Sequence, residues 1–257
     1  MKPEHKALMK ARARNVVLEV AYDGTAYHGF QRQSPPVVAV QNVLEQKLEV
    51  VFGDSIELAA AGRTDAGVHA YGQVVNFFTD GRIPLDRVPR AVNSLLPPDI
   101  AVRRAYEAGP DFSARHSAKS KTYIYRIHQS ETPDPLRTRY AWYERRALDE
   151  AAMRAALAHI LGEHDFSAFR ASGGADMSPV RTMYEAELTR EGAEYVFRIH
   201  GNGFLYHMVR NIIGTLHDVG LGVKTPADFQ RIMAGRDRKQ ASPTAPACGL
   251  YLYSVEY

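Results

Sequence analysis

Ala59-Ala60-Ala61-Gly62-Arg63-Thr64-Asp65-Ala66-Gly67-Val68-His69-Ala70 lies between two apolar runs, 56–61 and 68–78, that read as strands. The stretch is far richer in glycine and small residues than its neighbours, and Asp65 follows an arginine by two positions. Loops that carry function hold reactive side chains on a rigid frame, and this one has that composition. Two readings are open. In the first it is a surface turn, with Thr64 and Asp65 bonding local backbone and Gly62 and Gly67 supplying positive φ. In the second Asp65 is a reactive carboxylate.

The elements on either side place this loop in a recognisable order. Residues 16–22 alternate as a strand that ends at the Asp23-Gly24 turn signal. Apolar residues at 40, 43, 44, 48 and 51 have helical spacing, and Gly53 is a fitting stop. A second helix is expected over 85–96, between Pro84 and Pro97, and a fourth strand over 101–107. With the two strands around the loop, the order is β-α-β-β-α-β, that of the ferredoxin-like split unit.

The order then repeats. A strand is expected at 120–129, a helix at 149–161 stopped by Gly162, and a hairpin at 181–190 and 194–200 with Glu191-Gly192 at its turn. A helix at 206–219 follows, then a shorter one at 226–233 started by Thr225-Pro226, and a last strand at 249–256. Thr132-Pro133-Asp134-Pro135 reads as an irregular loop. The fold class is therefore α+β: two tandem ferredoxin-like, RRM-like units, residues 1–110 and 111–257, with the boundary near Gly109-Pro110. Each presents an antiparallel sheet, and a cleft between two such sheets suits a substrate.

The chain has 257 residues, enough for one large domain or two small ones with a real core. A single cysteine, Cys248, excludes a disulfide framework and any multi-cysteine zinc site, and points to a reducing compartment. No apolar run approaches the roughly 20 residues that span a bilayer, so no membrane association is expected and the location read from the sequence is cytoplasmic. The basic N-terminus (Lys2, Lys6, Lys10, Arg12, Arg14) precedes an apolar run too short for a signal peptide and reads as a tail. Net charge is only +3, so distribution matters more than total. Arg115, His116, Lys119, Lys121 and Arg126 are interleaved with Tyr123 and Tyr125 and with no acid; Arg137, Arg139, Arg145 and Arg146 surround Tyr140, Trp142 and Tyr143. Basic groups mixed with aromatics suit phosphate contact and base stacking, though a charge run is usually a solvated face.

Gly62 to Ala70 resembles, without a gap, the active-site signature of the tRNA pseudouridine synthase A (TruA) family. Tyr22-Asp23-Gly24-Thr25 followed by Gly29-Phe30-Gln31 is similar to that family's N-terminal signature. Phe112-Ser113-Ala114-Arg115 with the later tyrosine pair resembles a second block, Gly203 to Asn211 a third, and Gly249-Leu250-Tyr251-Leu252 the C-terminal strand. The resemblance thus touches both halves. It implies two related halves joined in one continuous, mostly antiparallel sheet with the site in the cleft. The implied activity is isomerisation of uridine to pseudouridine at positions 38, 39 and 40 of tRNA, in the anticodon stem-loop. It also implies a homodimer, and no cofactor, because the net reaction is an isomerisation.

The resemblance assigns roles residue by residue. Asp65 is the nucleophile, and which atom it attacks is not legible in the sequence. Arg63 contacts the RNA. Tyr123 stacks on the target base and serves the proton step at C5, where without the family a tyrosine in an alternating strand is core packing; Tyr125 stays structural. Leu250 helps wall the uracil pocket. Arg210 lies among Met208, Val209, Ile212 and Ile213, which suggests a partly buried helix. A buried arginine needs a partner, and Asp65 is the expected one. No metal is expected: Asp65 and His69 share a four-residue spacing that makes a ligand pair only on a helix, and Gly201-Asn202-Gly203 lacks the third glycine of a dinucleotide fingerprint. His159, His164, His207 and His217 read as structural or surface residues. Two other classes stay in view: a non-catalytic structured-RNA-binding module on the same scaffold, and a small-molecule enzyme with no tRNA affinity.

Overall fold

The computed structural model describes residues 11–174 and 177–257. Lys2, Lys6 and Lys10 of the expected tail lie outside the described residues. Arg12 and Arg14 do not behave as tail: Arg12 Nη1 donates to the Ser55 carbonyl at 2.7 Å, and Arg14 opens the first strand opposite Thr79. The chain forms two compact units, residues 11–118 with 252–257, and residues 119–251.

In the first unit, β1 (Arg14–Tyr22), β2 (Ala59–Ala60), β3 (His69–Thr79) and β4 (Ile100–Ala108) alternate with helices α1 (Val40–Phe52) and α2 (Val88–Asn93) in the expected order. The sheet runs β4-β1-β3-β2 and is antiparallel throughout, as a ferredoxin-like unit requires. Val16, Leu18 and Val20 of β1, fully buried, share one face by strand alternation. Val40, Leu44 and Leu48 of α1 are equally buried, and Phe52 meets Phe77 of β3 edge to face at 5.0 Å. Gly53 ends α1 at φ +71°.

The strand expected over 56–61 shrinks to two residues for a local reason. The Leu58 amide donates to Glu45 Oε1 at 3.0 Å, and its carbonyl accepts from Gln41 Nε2 at 3.3 Å. Side chains of α1 thus take the backbone groups that a ladder would need. The unit boundary also differs from the Gly109-Pro110 division. Residues 109–118 stay with the first unit because Asn15 Nδ2 binds the Gly109 and Phe112 carbonyls and Asn76 Oδ1 accepts the Ala114 amide.

The second unit contains β5 (Ser120–Gln129), β6 (Trp142–Glu144), α3 (Glu150–Ala158), β7 (Gly162–Asp165), β8 (Val180–Glu191), β9 (Glu194–Gly201), α4 (Met208–Gly220) and α5 (Pro226–Gly235). The final strand, β10 (Leu250–Glu256), begins here and ends among the residues of the first unit. β5, β9, β8 and β7 are successive antiparallel neighbours, and β6 pairs with β5 in parallel. Neither β6 nor β7 is apparent in the sequence, being three and four residues long. α3 stops at Ala158 rather than running to Leu161, since His159, Ile160 and Leu161 donate to carbonyls three residues back. α5 starts with a complete Thr225–Asp228 capping box. Among the described residues no helix is long and apolar enough to cross a membrane.

Helix α4 is tied to β6 by a buried polar contact. His217 Nε2–H donates to Glu144 Oε2 at 2.6 Å, beneath Trp142, whose ring centroid lies 4.0 Å from the imidazole. Burial pushes the Glu144 carboxyl up, but hydrogen bonds from Arg146 and His217 outweigh it and hold it at about 2. Burial pulls His217 below its ordinary value despite Glu144. Both groups therefore titrate lower folded than unfolded, so the stability they give is complete at neutral pH and is lost on acidification. Unfolding free energy measured in urea should fall as pH drops below about 6.5 and again from about 4.5 towards 2. Glu144→Gln should flatten the second decline; an unchanged acid limb in that variant contradicts the assignment.

Candidate active-site loop

Residues 62–68 are held from three sides. From below, the fully buried Gln73 of β3 clamps Gly62: its Nε2 donates to the Gly62 carbonyl at 2.8 Å, and its Oε1 accepts the Gly62 amide at 3.4 Å. From β1, the Tyr22 hydroxyl shares a 2.7 Å hydrogen bond with Thr64 Oγ1. Burial pushes the Tyr22 hydroxyl up to about 12, partly offset by Thr64 and Gln73, so it stays protonated as a structural group. From above, the loop after β1 lies on the 62–68 backbone: Phe30 donates its amide to the Thr64 carbonyl at 3.0 Å, and Gly67 to the Tyr27 carbonyl at 3.3 Å. Val68 N–H closes the turn on the Asp65 carbonyl at 3.1 Å.

This stacking of two loops depends on absent side chains. A Cβ on Gly29, which sits at φ +85°, would lie 2.7 Å from the Thr64 carbonyl oxygen, and one on Gly24 would overlap the Val68 carbonyl. Thr64 and Val68 are buried; Asp65, between them, is partly exposed, and Arg63, just before Thr64, is exposed. The loop thus presents a carboxylate and a guanidinium from a backbone that is fixed on both sides of them.

Buried groups hold the covering loop in turn. Tyr27 Oη donates to Asp99 Oδ1 at 2.7 Å, and burial together with that carboxylate raises the phenol well above its ordinary range. His69, buried, accepts the Gly24 amide at Nδ1 (3.1 Å) and lies 3.1 Å from Asp23 Oδ1. Tyr22, Tyr27, Gln73 and Asp99 carry this framework and are not apparent as such in the sequence. A glutamine at 73 on the buried side of a largely apolar strand was the one available signal.

Tyr123, Arg210 and Leu250 belong to the second unit, whereas Arg63 and Asp65 belong to the first. Tyr123 on β5 is nearly buried and meets Phe204 edge to face at 4.8 Å. Tyr125, two residues on, is fully buried and donates its hydroxyl to the Pro246 carbonyl at 2.8 Å. Arg210 Nε donates to the Ala245 carbonyl at 2.8 Å, and the Ala245 amide returns a bond to the Arg210 carbonyl at 3.1 Å. Residues 245–246 are therefore pinned at both ends, just ahead of buried Leu250.

The two basic runs separate on inspection. In the second, Arg137 pairs with Glu194 and with Asp134, and Arg146 grips Glu144 at 2.8 Å. In the first, Arg126 pairs with Glu194, but Arg115 is exposed and has no ion-pair partner among the described residues. If the loop stack is what fixes residues 62–68, Gly29→Ala should speed amide exchange across them by roughly tenfold or more. Gly53→Ala, at the same sign of φ but with open space around it, should cost about 1 kcal/mol of global stability and leave local exchange in the loop unchanged. Equal effects of the two variants on the loop would contradict the stacking account.

Comparison with known proteins agrees with the motifs. The family model described as tRNA pseudouridine synthase matches residues 19–117 and 156–257. A tRNA pseudouridine synthase A from Acetivibrio thermocellus is 45% identical over 244 residues, covering 95% of this chain and 100% of that protein. Its namesake from Halalkalibacterium halodurans is 46% identical over 238 residues, covering 92% and 90%. That from Caldicellulosiruptor bescii is 42% identical, covering 95% and 100%. Matches of that extent and identity, spanning the Asp65 loop and both units, place the chain in the tRNA pseudouridine synthase family.

Proposed function

We propose that this chain isomerises uridine to pseudouridine in tRNA, with Asp65 as the nucleophile. The observation that carries the reading is the loop itself: a half-exposed carboxylate on a backbone tied at Gly62, Thr64, Gly67 and Val68, in a chain of this family. The reaction breaks the bond from ribose C1′ to uracil N1, turns the base and rejoins C1′ to C5. The C5 proton leaves and N1 gains one, so atoms and electrons balance within the substrate. An ionised carboxylate is what such a step needs to attack or stabilise the intermediate.

The uridine must leave its stack to be reached, which calls for contacts that hold the extruded nucleotide. Arg63, exposed beside Asp65, contacts the RNA in this reading, and Tyr123 stacks on the target base with Leu250 walling the uracil. Arg115 and His116, both exposed, meet backbone phosphates. Arg210 is, in this reading, the partner of the Asp65 carboxylate. Modification at positions 38, 39 and 40 of the anticodon stem-loop, a homodimeric assembly and a cytoplasmic location complete the proposal, and these rest on the motif resemblance.

Unmodified tRNA transcripts incubated with the purified protein, with no added cofactor, should acquire pseudouridine in the anticodon arm, mapped by chemical labelling and primer extension. Asp65→Ala should bind the transcript and form none. Arg210→Ala should keep tRNA affinity while kcat falls on the order of a hundredfold, with Arg210→Lys partly restoring it. Equal tRNA binding by parent and Asp65→Ala with no product from either would make the scaffold an RNA binder without catalysis.

A further inference from the structure

The turn that carries Arg115 and His116 is held by a buried amide relay that plays no part in the chemistry above. Asn15 and Asn76, on neighbouring strands β1 and β3, are each 3% exposed. Asn76 Oδ1 accepts the Ala114 amide at 2.8 Å, and Asn76 Nδ2 donates to Asn15 Oδ1 at 2.8 Å. Asn15 Nδ2 then donates to the carbonyls of Gly109 (2.9 Å) and Phe112 (3.0 Å). The backbone dictates each amide's orientation, because a backbone N–H needs an oxygen and the two carbonyls need N–H groups. At the far side, Tyr257 Oη donates to the Ala114 carbonyl at 2.9 Å while its ring packs on Phe112 at 4.9 Å.

Both backbone polar groups of Ala114 are thus gripped by side chains. Its methyl is fully buried in a cluster with Val17, Val74 and Ala61, and Ala61 directly precedes Gly62 of the Asp65 loop. Ser113 and Ser117 close the turn: the Ser117 amide donates to the Ser113 carbonyl at 2.9 Å, and the Ser113 amide to Ser117 Oγ at 3.1 Å. The result is one turn, buried at Ala114 and exposed at Arg115 and His116, anchored to the base of the candidate active-site loop.

We infer that Asn76, Asn15 and the Tyr257 hydroxyl are positioning residues: they fix the Ala114 turn so that Arg115 meets a phosphate of the RNA at a set distance from Asp65. The inference rests on the proposed function for the identity of the ligand. It requires that the relay act through Arg115. That requirement separates it from a merely structural role, for which losses would add to those of any Arg115 variant.

The test is a double-mutant cycle in the full chain, read by tRNA binding and steady-state kinetics. Asn76→Ala and, more gently, Tyr257→Phe should raise Kd and KM for tRNA several-fold with a much smaller change in kcat. Each should lower the slope of log Kd against log salt by up to about 1, as Arg115→Ala does. In the Arg115→Ala background neither should weaken binding further. Amide exchange at Ala114 should rise in Asn76→Ala whether or not RNA is present. Additive losses in the double variants, a fall in kcat at unchanged KM, or an Arg115→Ala variant with parental Kd would each overturn the inference. Failure of the parent protein to form pseudouridine would instead sink the proposed function, and the binding cycle would still report on the relay.

Discussion

Everything at the candidate site depends on two backbones being allowed to touch. Residues 23–30 can lie on residues 62–68 only because Gly24 and Gly29 carry no side chain where the Val68 and Thr64 carbonyls approach. That contact lets the Phe30 amide donate to the Thr64 carbonyl and the Gly67 amide to the Tyr27 carbonyl, while Gln73 and Tyr22 hold the underside. A loop of small residues has little to pack with and would otherwise be mobile. Here β3 and the covering loop meet its backbone polar groups and β1 meets the Thr64 hydroxyl, so the side chains of Arg63 and Asp65 project from a fixed base. Preorganisation of this kind is what a reactive carboxylate needs.

The second unit solves a different problem. Its helix α4 is almost wholly buried, yet it carries Arg210, and the cation is accommodated by the Ala245 carbonyl rather than by surface exposure alone. Tyr125 binds the next carbonyl, Pro246, so one aromatic and one cation together define the path of the chain into Leu250. The charge pattern divides in the same spirit. Arg126, Arg137 and Arg146 neutralise buried or half-buried glutamates and belong to the architecture. Arg115 stands outside these pairs on a turn held by the Asn76 amide and the Tyr257 hydroxyl.

Hydrophobic periodicity was enough to place β1, α1, β3, β5, the β8–β9 pair and α4, since each buries one face or nearly all of itself. It was not enough for β6 and β7, which are too short to show alternation, or for β2, whose flanking Leu58 backbone is captured by Gln41 and Glu45 from a helix. The unit boundary differs for a related reason: Gly109-Pro110 looks like a linker in sequence, but Asn15 and Asn76, far upstream, tie residues 109–118 to the first unit. At the candidate site, the loop that presents Arg63 and Asp65 was legible through its motif. Tyr22, Gln73 and Tyr27 were not, because a buried hydroxyl or amide reads in sequence as an ordinary strand residue until its partner is known.

The central claim is that the Asp65 loop supports transfer of a glycosidic bond from N1 to C5 of uridine. The most direct measurement is release of tritium to water from tRNA transcribed with uridine labelled at C5, using the full-length protein and no added cofactor. The account predicts tritium release in step with pseudouridine formed, one per modified uridine, and none from the Asp65→Asn variant. Tight tRNA binding with no tritium released by the parent protein would contradict it.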